Sequence, residues 1–342
     1  MKRRMFLHAS AAAGMGLLSG CAPVVRSTQP RLSLIGHLGI TAAADPASLL
    51  SIEEFRRGLR EQNLIEGENV AIDQRWLEGR GHSWARTQTT ELVALGASVI
   101  VAGGSLWRPA REVTDAVPIV MTGPGGNVEQ LIAQGWAKSA ARPGGSVTGL
   151  SVVPQQAFLK RLEMLVAVAP RVRRIAVVSN LERYGESDAD MRASVVQMGL
   201  QALVLDVRSV EQLELAFEQA RLWDADAIAG EGLTETKAPT ETKALSATLA
   251  GLALKSGLPT VFFNGRGVEA GLLLFYGAAF PEGYQFRRSA WYVARIMAGT
   301  KPGDLPIEVP DQVRFTVNRK TLAALGLTLP PHIAMQVTDW ID

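Results

Sequence analysis

The chain has 342 residues, of which 47% are hydrophobic, and its 35 basic and 33 acidic residues leave a net charge of +2 at neutral pH. It contains no basic run with interleaved aromatic residues, which argues against a nucleic-acid partner. One cysteine cannot close an intramolecular disulfide, and four widely separated histidines form no metal-binding pattern. We therefore expect neither a metal nor another cofactor.

The first 20 residues have the layout of a secretion signal. Three basic residues, Lys2 to Arg4, precede an apolar run from about Ala11 to Leu18, which is too short to span a bilayer. The segment Leu18-Ser19-Gly20-Cys21 resembles a bacterial lipobox, whose cysteine is lipidated and becomes the mature N-terminus, and Arg3–Leu7 resembles a twin-arginine signal. We predict a signal peptide at 1–20 and a lipidated tether at 21–30. Cys21 would then anchor the protein on the periplasmic or cell-surface side of a membrane.

Removal of this signal changes the charge and leaves a chain long enough for two lobes. Subtracting three basic residues from 35 leaves 32 against 33 acidic ones, so the apparent basicity belongs to the signal. Roughly 320 residues remain, more than the ~250–300 that one hydrophobic core usually serves. No later apolar run is long enough to cross a membrane.

Beyond the tether, short apolar runs alternate with segments of helical period. The predicted strands are Leu32–Leu38, Val70–Trp76, Ser98–Ala102, Ile119–Thr122, Ile175–Ser179, Ala202–Val207, Ala227–Ala229 and Thr260–Phe263. The predicted helices are Ile52–Gln62, Trp84–Leu95, Leu106–Thr114, Phe158–Val168, Asp190–Met198 and Val210–Leu222. Nearly all-apolar strands between amphipathic helices are typical of βαβ units with parallel sheets covered on both faces. The sequence thus predicts an α/β protein.

Three loop-rich segments interrupt this alternation, and each is a candidate crossing between two lobes: Arg142–Gly149, Phe263–Gly267 and Thr300–Pro306. We predict lobe 1 at 31–147 plus 271–303, and lobe 2 at 148–270 plus 304–342. Ligands of open α/β sheets bind outside the carboxyl ends of the strands. Two such sheets facing each other would form a cleft that closes around a solute.

Five segments resemble, in the same order, the ABC-transporter substrate-binding proteins of the tryptophan/tyrosine-type family. They are Ala141–Gly149 (ARPGGSVTG), Lys160–Leu165 (KRLEML), Glu269–Gly277 (EAGLLLFYG), Lys301–Glu308 (KPGDLPIE) and Val317–Leu327 (VNRKTLAALGL). The resemblance covers nearly the whole mature chain. It implies a periplasmic binding protein type I fold, related to the leucine/isoleucine/valine-binding proteins, with two Rossmann-like lobes and a three-stranded hinge. It also implies a non-enzymatic receptor that delivers a small molecule to an ABC permease.

Two loops depart from the pattern of that family. Gly36–Thr41 stands where members that bind amino acids often carry an acidic-His-Pro turn, and Thr122–Gly126 replaces their usual Asp-Pro-Val. Both loops are expected to face the cleft. The ligand of the family therefore does not carry over to this chain, although an amino acid or an aromatic or carboxylate compound remains the expected class.

The segment Gly103-Gly104-Ser105 is the leading candidate for ligand contact. It follows a predicted strand and precedes a predicted helix, where glycines let backbone N–H groups approach a ligand and a helix start favours a carboxylate. The alternative is that Ser105 only caps the helix. The other candidates at strand ends and crossings are His37, Thr122, Gly123, Thr148, Gly149, Asn180, Glu231, Asn264 and Tyr276.

Two of these residues have specific alternatives. The carboxylate of Glu231 is suited to pair with a ligand amine, and its alternative is an ordinary solvated side chain in a glycine-flanked loop. Tyr276 offers a flat apolar face with a hydroxyl, and its alternative is packing in the core.

The sequence patterns that would indicate an enzyme are weaker than those that indicate a binding protein. Gly81–Ala85 (GHSWA) superficially resembles a nucleophile elbow, but a polar loop precedes it, and Ser83 is expected to be the N-cap of a helix that starts at Trp84. Two alternatives stay open beside the transport receptor. One is a ligand-sensing receptor of the same fold, and the other is a periplasmic serine hydrolase that uses Ser83 or Ser105.

Overall fold

A computed structural model describes the chain from residue 32 onward, over 32–78, 80–122, 128–151, 155–181, 188–231, 233, 239–262, 265–278, 283–310 and 312–342. The predicted signal peptide, the tether and Cys21 lie outside the described residues, as do the candidate ligand contacts Gly123 and Asn264.

The described residues alternate strands and helices in chain order. The first part contains β1 (Ser33–Gly39), α1 (Pro46–Glu61), β2 (Val70–Trp76), α2 (His82–Ala94), β3 (Val99–Gly103), α3 (Trp107–Val113), β4 (Ile119–Thr122), α4 (Val128–Ala133), β5 (Val147–Leu150), α5 (Gln155–Val168) and β6 (Arg174–Ser179). The second part contains α6 (Asp188–Gln197), β7 (Gln201–Asp206), α7 (Gln212–Leu222), β8 (Ala227–Glu231), α8 (Pro239–Ser256), β9 (Thr260–Phe262), α9 (Arg266–Glu269), β10 (Leu274–Ala278), α10 (Tyr284–Met297), β11 (Ile307–Glu308), β12 (Val313–Asn318), α11 (Arg319–Ala324), α12 (Pro331–Ala334) and β13 (Asp339–Ile341).

These strands form two separate sheets. The six-stranded sheet has the order β11-β5-β4-β3-β1-β2, and each of its neighbouring pairs is parallel. The seven-stranded sheet has the order β13-β12-β10-β9-β8-β6-β7 and is parallel except for the antiparallel pair β10/β12. Helices cover both faces of each sheet. The predicted α/β class with parallel sheets is confirmed.

Alternation along the strands explains how each sheet is covered. On β1, Ile35 packs with Phe55 of α1 and with α10, whereas Leu38 packs on the opposite face with α2 and α3. The residues of β3 alternate between the same two faces. Because both of its faces are buried, β3 contains no polar side chain. Burying one such aliphatic or aromatic side chain contributes roughly 1.5–3 kcal/mol.

Local signals in the sequence set the starts of two helices. Asp45 is the N-cap of α1, where its side chain accepts a hydrogen bond from the Ala47 backbone N–H at 2.7 Å, and Pro46 follows at the first helical position. Asn318 caps α11 in the same way. The expected cap of α2 is wrong, because that helix begins at His82 with Gly81 as its N-cap, and Ser83 lies exposed in its first turn.

The chain passes between the two sheets three times: between β5 and α5, between β10 and α10, and between β11 and β12. Helix α10 belongs with the six-stranded sheet because it packs on α1, β3, β4 and β5. All three passages fall later in the chain than the predicted lobe boundaries. Thr148–Leu150 pairs within the six-stranded sheet, Leu274–Ala278 within the seven-stranded sheet, and Ile307–Glu308 again within the six-stranded sheet.

The segments Arg142–Gly149 and Thr300–Pro306 were predicted to cross between the lobes, and in the structure they contact each other. Gly144 donates its backbone N–H to the Gly303 carbonyl at 2.9 Å, and a Cβ on Gly303 would lie only 2.7 Å from the Gly144 backbone. These two loops therefore pack against each other just before β5 and the edge strand β11. Part of Phe263–Gly267 lies outside the described residues, and β9 and β10, the strands before and after it, belong to the same seven-stranded sheet.

Candidate functional site

The carboxyl ends of the parallel strands define the candidate site. In the six-stranded sheet Gly39 at the end of β1 is paired with Trp76, and Gly103 at the end of β3 is paired with Thr122 of β4. The ends of four neighbouring strands therefore lie along one edge, where open α/β sheets bind their ligands.

Ser105 lies at this edge and contacts a side chain that the sequence analysis did not single out. It occupies a short 3-10 turn, Gly104–Leu106, directly after β3, and Gly104 adopts a φ of +56° that favours glycine. Its Oγ lies 3.2 Å from Nε2 of His82, the first residue of α2. Both side chains are half-buried. Ser105 is not the N-cap of α3, so the capping alternative is wrong.

His37 lies inside the core rather than on the edge. Only 3% of it is exposed, and its ring centroid is 6.0 Å from that of Phe55 and 5.3 Å from that of Trp76. Desolvation by burial, with a smaller contribution from Arg56, lowers the pKa of His37 to about 4, so the ring is neutral at pH 7. Within the described residues its Nδ1 has no hydrogen-bond partner. The structure therefore places His37 on the face of the sheet that α1 covers, and not at the carboxyl ends of the strands.

Trp76 lies at the carboxyl end of β1, the place where the sequence analysis expected the loop Gly36–Thr41. Its ring lies directly over Gly39, where an added Cβ would approach it to 2.1 Å. The segment Gly36–Thr41 is mostly strand, because β1 continues to Gly39. The turn into α1 comes later, at Asp45.

The two candidate threonines of this sheet are buried and use their hydroxyls within the protein. Thr122 donates to the Gln285 carbonyl at 3.1 Å, at the start of α10. Thr148 donates to the Leu305 carbonyl at 2.9 Å, just before β11. Gly149 has a φ of +118°, and a Cβ there would lie 2.4 Å from the Met121 carbonyl oxygen. These contacts secure the segments beside the crossings.

The seven-stranded sheet has a comparable edge. Ser179 at the end of β6 is in register with Asp206 of β7 and with Glu231 of β8. Asn180 follows Ser179 and is half-buried, and the backbone of Glu231 ends β8. Within the described part of the chain, the buried Ser179 hydroxyl has no hydrogen-bond partner.

Tyr276 packs mainly in the core, as its alternative stated. Its ring meets Phe315 edge-on with centroids 5.9 Å apart. Its carbonyl accepts a hydrogen bond from Arg161 Nη1 at 3.3 Å. Arg161 is only 2% exposed, and its guanidinium lies 5.9 Å from the Phe158 ring centroid. The sequence analysis missed this buried cation at the carboxyl end of β10, although it forms part of the KRLEML segment.

Neither a membrane helix nor a metal cluster is found in the described residues. None of their helices combines the length and apolar character that a bilayer crossing requires. They also contain no group of three or more histidine, cysteine or carboxylate side chains placed to hold a metal ion.

Two parallel-dominated sheets joined by three chain passages define a periplasmic binding protein type I fold, and solved structures share it. The chain belongs to the ABC transporter substrate-binding protein family, whose model matches residues 39–341.

Two similar structures have a TM-score of 0.70 and cover 91% of this chain and 100% of their own. One is an ABC domain from Streptococcus pneumonia in complex with L-Trp, at 21% identity. The other is a conserved domain protein from Vibrio cholerae, at 20% identity. A third, at 18% identity and a TM-score of 0.57, covers 91% of this chain and 99% of its own; it is a ligand-free, open substrate-binding protein with adhesive properties from Clostridium difficile. A search of curated proteins found no significant match.

Proposed function

We propose that this protein is an extracytoplasmic solute-binding lipoprotein that captures a small molecule by closure of two lobes and delivers it to an ABC permease. The observation that carries the proposal is the threefold passage of the chain between two sheets. Three connections between two bodies allow a hinge rotation of one body relative to the other. Each sheet with its helices would be one lobe.

The proposed mechanism needs no covalent chemistry. A solute that contacts both lobes binds the closed state more tightly than the open state, and this difference in affinity drives closure. The permease would then recognise the closed state.

The proposed ligand is an amino acid or another carboxylate, including aromatic ones. Hydroxyl and imidazole groups at Ser105 and His82 are suited to hydrogen-bond a carboxylate oxygen. A similar structure holds L-Trp, although at 21% identity that similarity supports the fold and not the ligand of this chain. Gly103 and Gly104 remain proposed backbone contacts, and Asn180 and Glu231 are the proposed contacts from the second lobe.

A thermal-shift screen tests the proposal. The purified protein would be melted with L-tryptophan, other amino acids, nucleobases, purine-like compounds and aromatic acids. A solute present at about 100 times its dissociation constant adds roughly 2.7 kcal/mol to the unfolding free energy. We expect at least one carboxylate to raise the Tm. If no solute does so, capture for transport loses its support.

The membrane anchor is a separate part of the proposal, and it rests on the lipobox resemblance at Cys21. In a bacterial host that processes lipoproteins, the wild type should incorporate radiolabelled palmitate and stay with the membrane fraction. Cys21→Ser should lose both properties because the thiol is the only site for the lipid. Equal membrane association of the two proteins would contradict the anchor.

One contact favours a second candidate, a periplasmic serine hydrolase. The His82 ring lies within hydrogen-bond distance of Ser105. However, the positive φ of this turn belongs to Gly104 and not to the serine, unlike the strained serine of a nucleophile elbow. Turnover of p-nitrophenyl acetate that disappears in Ser105→Ala would support the hydrolase. We expect the variant and the wild type to be equally inactive.

A further inference from the structure

Four exposed basic residues lie at the amino edge of the six-stranded sheet, opposite to the edge that carries the candidate site. We call this group the basic edge; its members are Lys138, Arg142, Arg295 and Lys301. Among the described residues, none of the four forms an ion pair with a carboxylate. The Arg295 guanidinium lies 5.3 Å from the Trp291 ring centroid. The four charges are therefore available to a partner outside the chain.

Backbone hydrogen bonds place the loop that carries Lys138 and Arg142 at this edge. The loop runs from 134 to 146, between α4 and β5. The Ser146 carbonyl accepts from the N–H of the first residue of β4 at 2.8 Å, and the Ala140 carbonyl accepts from the N–H of the first residue of β11 at 2.7 Å. The loop therefore lies across the starts of three neighbouring strands, β4, β5 and β11.

Arg295 and Lys301 reach the same edge from α10. This helix begins beside the carboxyl end of β4, packs along the sheet and leads into the start of β11, so its last turn, which contains Arg295, lies toward the amino ends of the strands. Lys301 follows in the loop before β11. Two residues later, the Gly303 carbonyl accepts from the Gly144 N–H at 2.9 Å, so this loop contacts the one that carries the other two cations.

The edge keeps a positive charge although the whole mature chain does not. Two exposed acidic residues lie in the loops that lead into β4 and β11, Asp115 and Asp304. Subtracting them from the four cations leaves a net charge of +2 here, whereas the mature chain has 32 basic and 33 acidic residues. The basic edge is thus a local feature of the fold, and it suits an anionic partner.

Exposed apolar side chains lie along the same edge. Ile65 precedes β2, Leu95 ends α2 before β3, and Ile132 lies in the last turn of α4 before β5, with 38%, 55% and 42% of their surfaces exposed. Such residues are unremarkable when they are scattered. Together with cations on one side of a molecule, they are the combination that favours a lipid surface over a purely aqueous partner.

The chain also enters the domain at this edge. Leu32 is the first described residue and directly precedes β1, which is three places from β5 in the sheet, about 14 Å at the usual strand spacing. The predicted tether from Cys21 onward contains Arg26 and Arg31 and no acidic residue. Ten residues extend over at most roughly 35 Å, so a lipid at Cys21 would hold the amino edge close to its membrane.

We propose that the basic edge rests on the anionic phospholipid head groups of the membrane that holds the Cys21 lipid. This inference rests on the lipid-anchor part of the proposed function. Each basic residue at an anionic surface strengthens binding roughly fivefold. Attraction of this size does not hold a protein on a membrane at physiological salt by itself, but it orients a protein that a lipid already keeps there. The carboxyl ends of the same strands, with Ser105, then face away from the bilayer.

The first test measures the edge without the anchor. Mature protein with Cys21→Ser would be sedimented with vesicles made of equal parts of phosphatidylglycerol and phosphatidylcholine, in about 50 mM NaCl, where charges are screened over roughly 14 Å. We expect binding that is lost in about 0.5 M NaCl and that vesicles of phosphatidylcholine alone do not support. Absence of binding, or equal binding to both kinds of vesicle, would overturn the proposal.

Two triple variants locate the contact. Lys138→Glu/Arg142→Glu/Lys301→Glu should weaken binding to the anionic vesicles at least about 100-fold, because three attractions are lost and repulsion replaces them. The control changes the net charge by the same amount at exposed residues of the part built on the seven-stranded sheet: Arg171→Glu/Lys255→Glu/Lys320→Glu. It should weaken binding only a few-fold. Equal losses would overturn the proposal. Sodium phosphate that displaces the protein better than sodium chloride of equal ionic strength would instead assign the edge to a soluble anion.

The second test uses the lipidated protein. The lipid occupies the natural thiol, so a dye can be attached to Ile132→Cys at the basic edge or to Leu222→Cys, the exposed last residue of α7. Energy transfer to a rhodamine lipid should be stronger from position 132 in anionic vesicles, and this difference should shrink in phosphatidylcholine. Equal transfer from both positions would overturn the orientation. If the chain takes no lipid, the anchor fails while the sedimentation result still decides the basic edge, and neither test depends on solute capture.

Discussion

At the scale of single residues, Gly149 and His37 occupy positions that few other side chains tolerate. Gly149 combines a left-handed backbone with close contact to β4, and His37 is a neutral imidazole held between aromatic rings. Both were predicted to contact the ligand. Their surroundings indicate that replacing Gly149 destabilises the fold and that protonating His37 does the same.

Gly149→Ala is expected to destabilise the protein by at least about 2 kcal/mol, because an alanine is strained at this φ and its methyl group would collide with the Met121 carbonyl. Urea unfolding measures the loss. The matched control is Gly251→Ala in α8, where the added methyl group meets no other part of the protein within 4 Å. That change should raise stability by roughly 0.5–1 kcal/mol because alanine favours a helix interior. Equal effects at the two positions would contradict this reading of Gly149.

His37 is expected to make stability fall as the pH is lowered from about 6.5 to about 4. Its folded-state pKa of about 4 lies below the ordinary value of 6.5, so in this window the unfolded chain takes up the proton and the folded protein does not. The loss should reach roughly 3 kcal/mol at the lower end. Urea unfolding of wild type and His37→Phe between pH 7 and pH 4 isolates this effect from that of the carboxylates. Parallel curves for the two proteins would show that His37 is not buried as a neutral ring.

At the scale of elements, the segments beside the crossings are fastened to the six-stranded sheet by polar contacts. Arg288 of α10 donates from Nε to Glu308 Oε1 at 2.9 Å, and its guanidinium lies 4.1 Å from the Trp291 ring centroid. The Glu308 carbonyl accepts from the Ser151 backbone N–H at 2.8 Å. One residue of β11 thus links the segments next to all three crossings.

Glu308→Gln should lower the free energy of unfolding by roughly 1 kcal/mol, because it weakens a partly buried, charge-assisted contact. The exposed pair Lys160–Glu163 provides the control, since Glu163→Gln removes a solvated ion pair and should change stability by less than about 0.5 kcal/mol. Urea unfolding of both variants makes the comparison. A smaller loss for Glu308→Gln than for the control would contradict the fastening role.

The strands in the middle of each sheet could be predicted, and the strands at the crossings could not. Ile119–Thr122 was found with correct bounds and Ile175–Ser179 was placed one residue late, because strands buried on both faces are continuous apolar runs. β11 has only two residues, and Thr148 and Gly149 interrupt the apolar run in β5, so neither strand has a clear signal in the sequence. Helix α10 was also missed, although its apolar residues recur at helical spacing among arginines.

The place of Ser105 in the chain was predicted from the sequence and its contact with His82 was not, and ligand binding there stays a prediction. Ser105 was identified because its place follows from local chain order, a glycine-rich turn between a strand and a helix. Its partner His82 lies 23 residues away, and only the pairing of strands brings the two together. The burial of His37 was in principle predictable, because it shares with Ile35 the face of β1 that the core covers.

At the scale of the whole molecule, the two sheets and the three passages between them predict motion. A solute that raises the Tm should also reduce the radius of gyration measured by small-angle X-ray scattering, because closure brings the lobes together. A solute of the same class that leaves the Tm unchanged is the control and should leave the radius of gyration unchanged. Tight binding with no contraction would contradict capture by closure.

The three passages between the sheets also determine whether a continuous fragment of the chain can fold by itself. When synthesis has reached Ala278, the face of the first sheet that carries Val101 and Val120 still lacks its covering helix α10, and the second sheet still lacks β12 and β13. Neither half matures until the last few dozen residues emerge from the ribosome. A nascent chain stalled at that point would present apolar surface to chaperones from both halves at once, and no single uninterrupted fragment retains an intact interior.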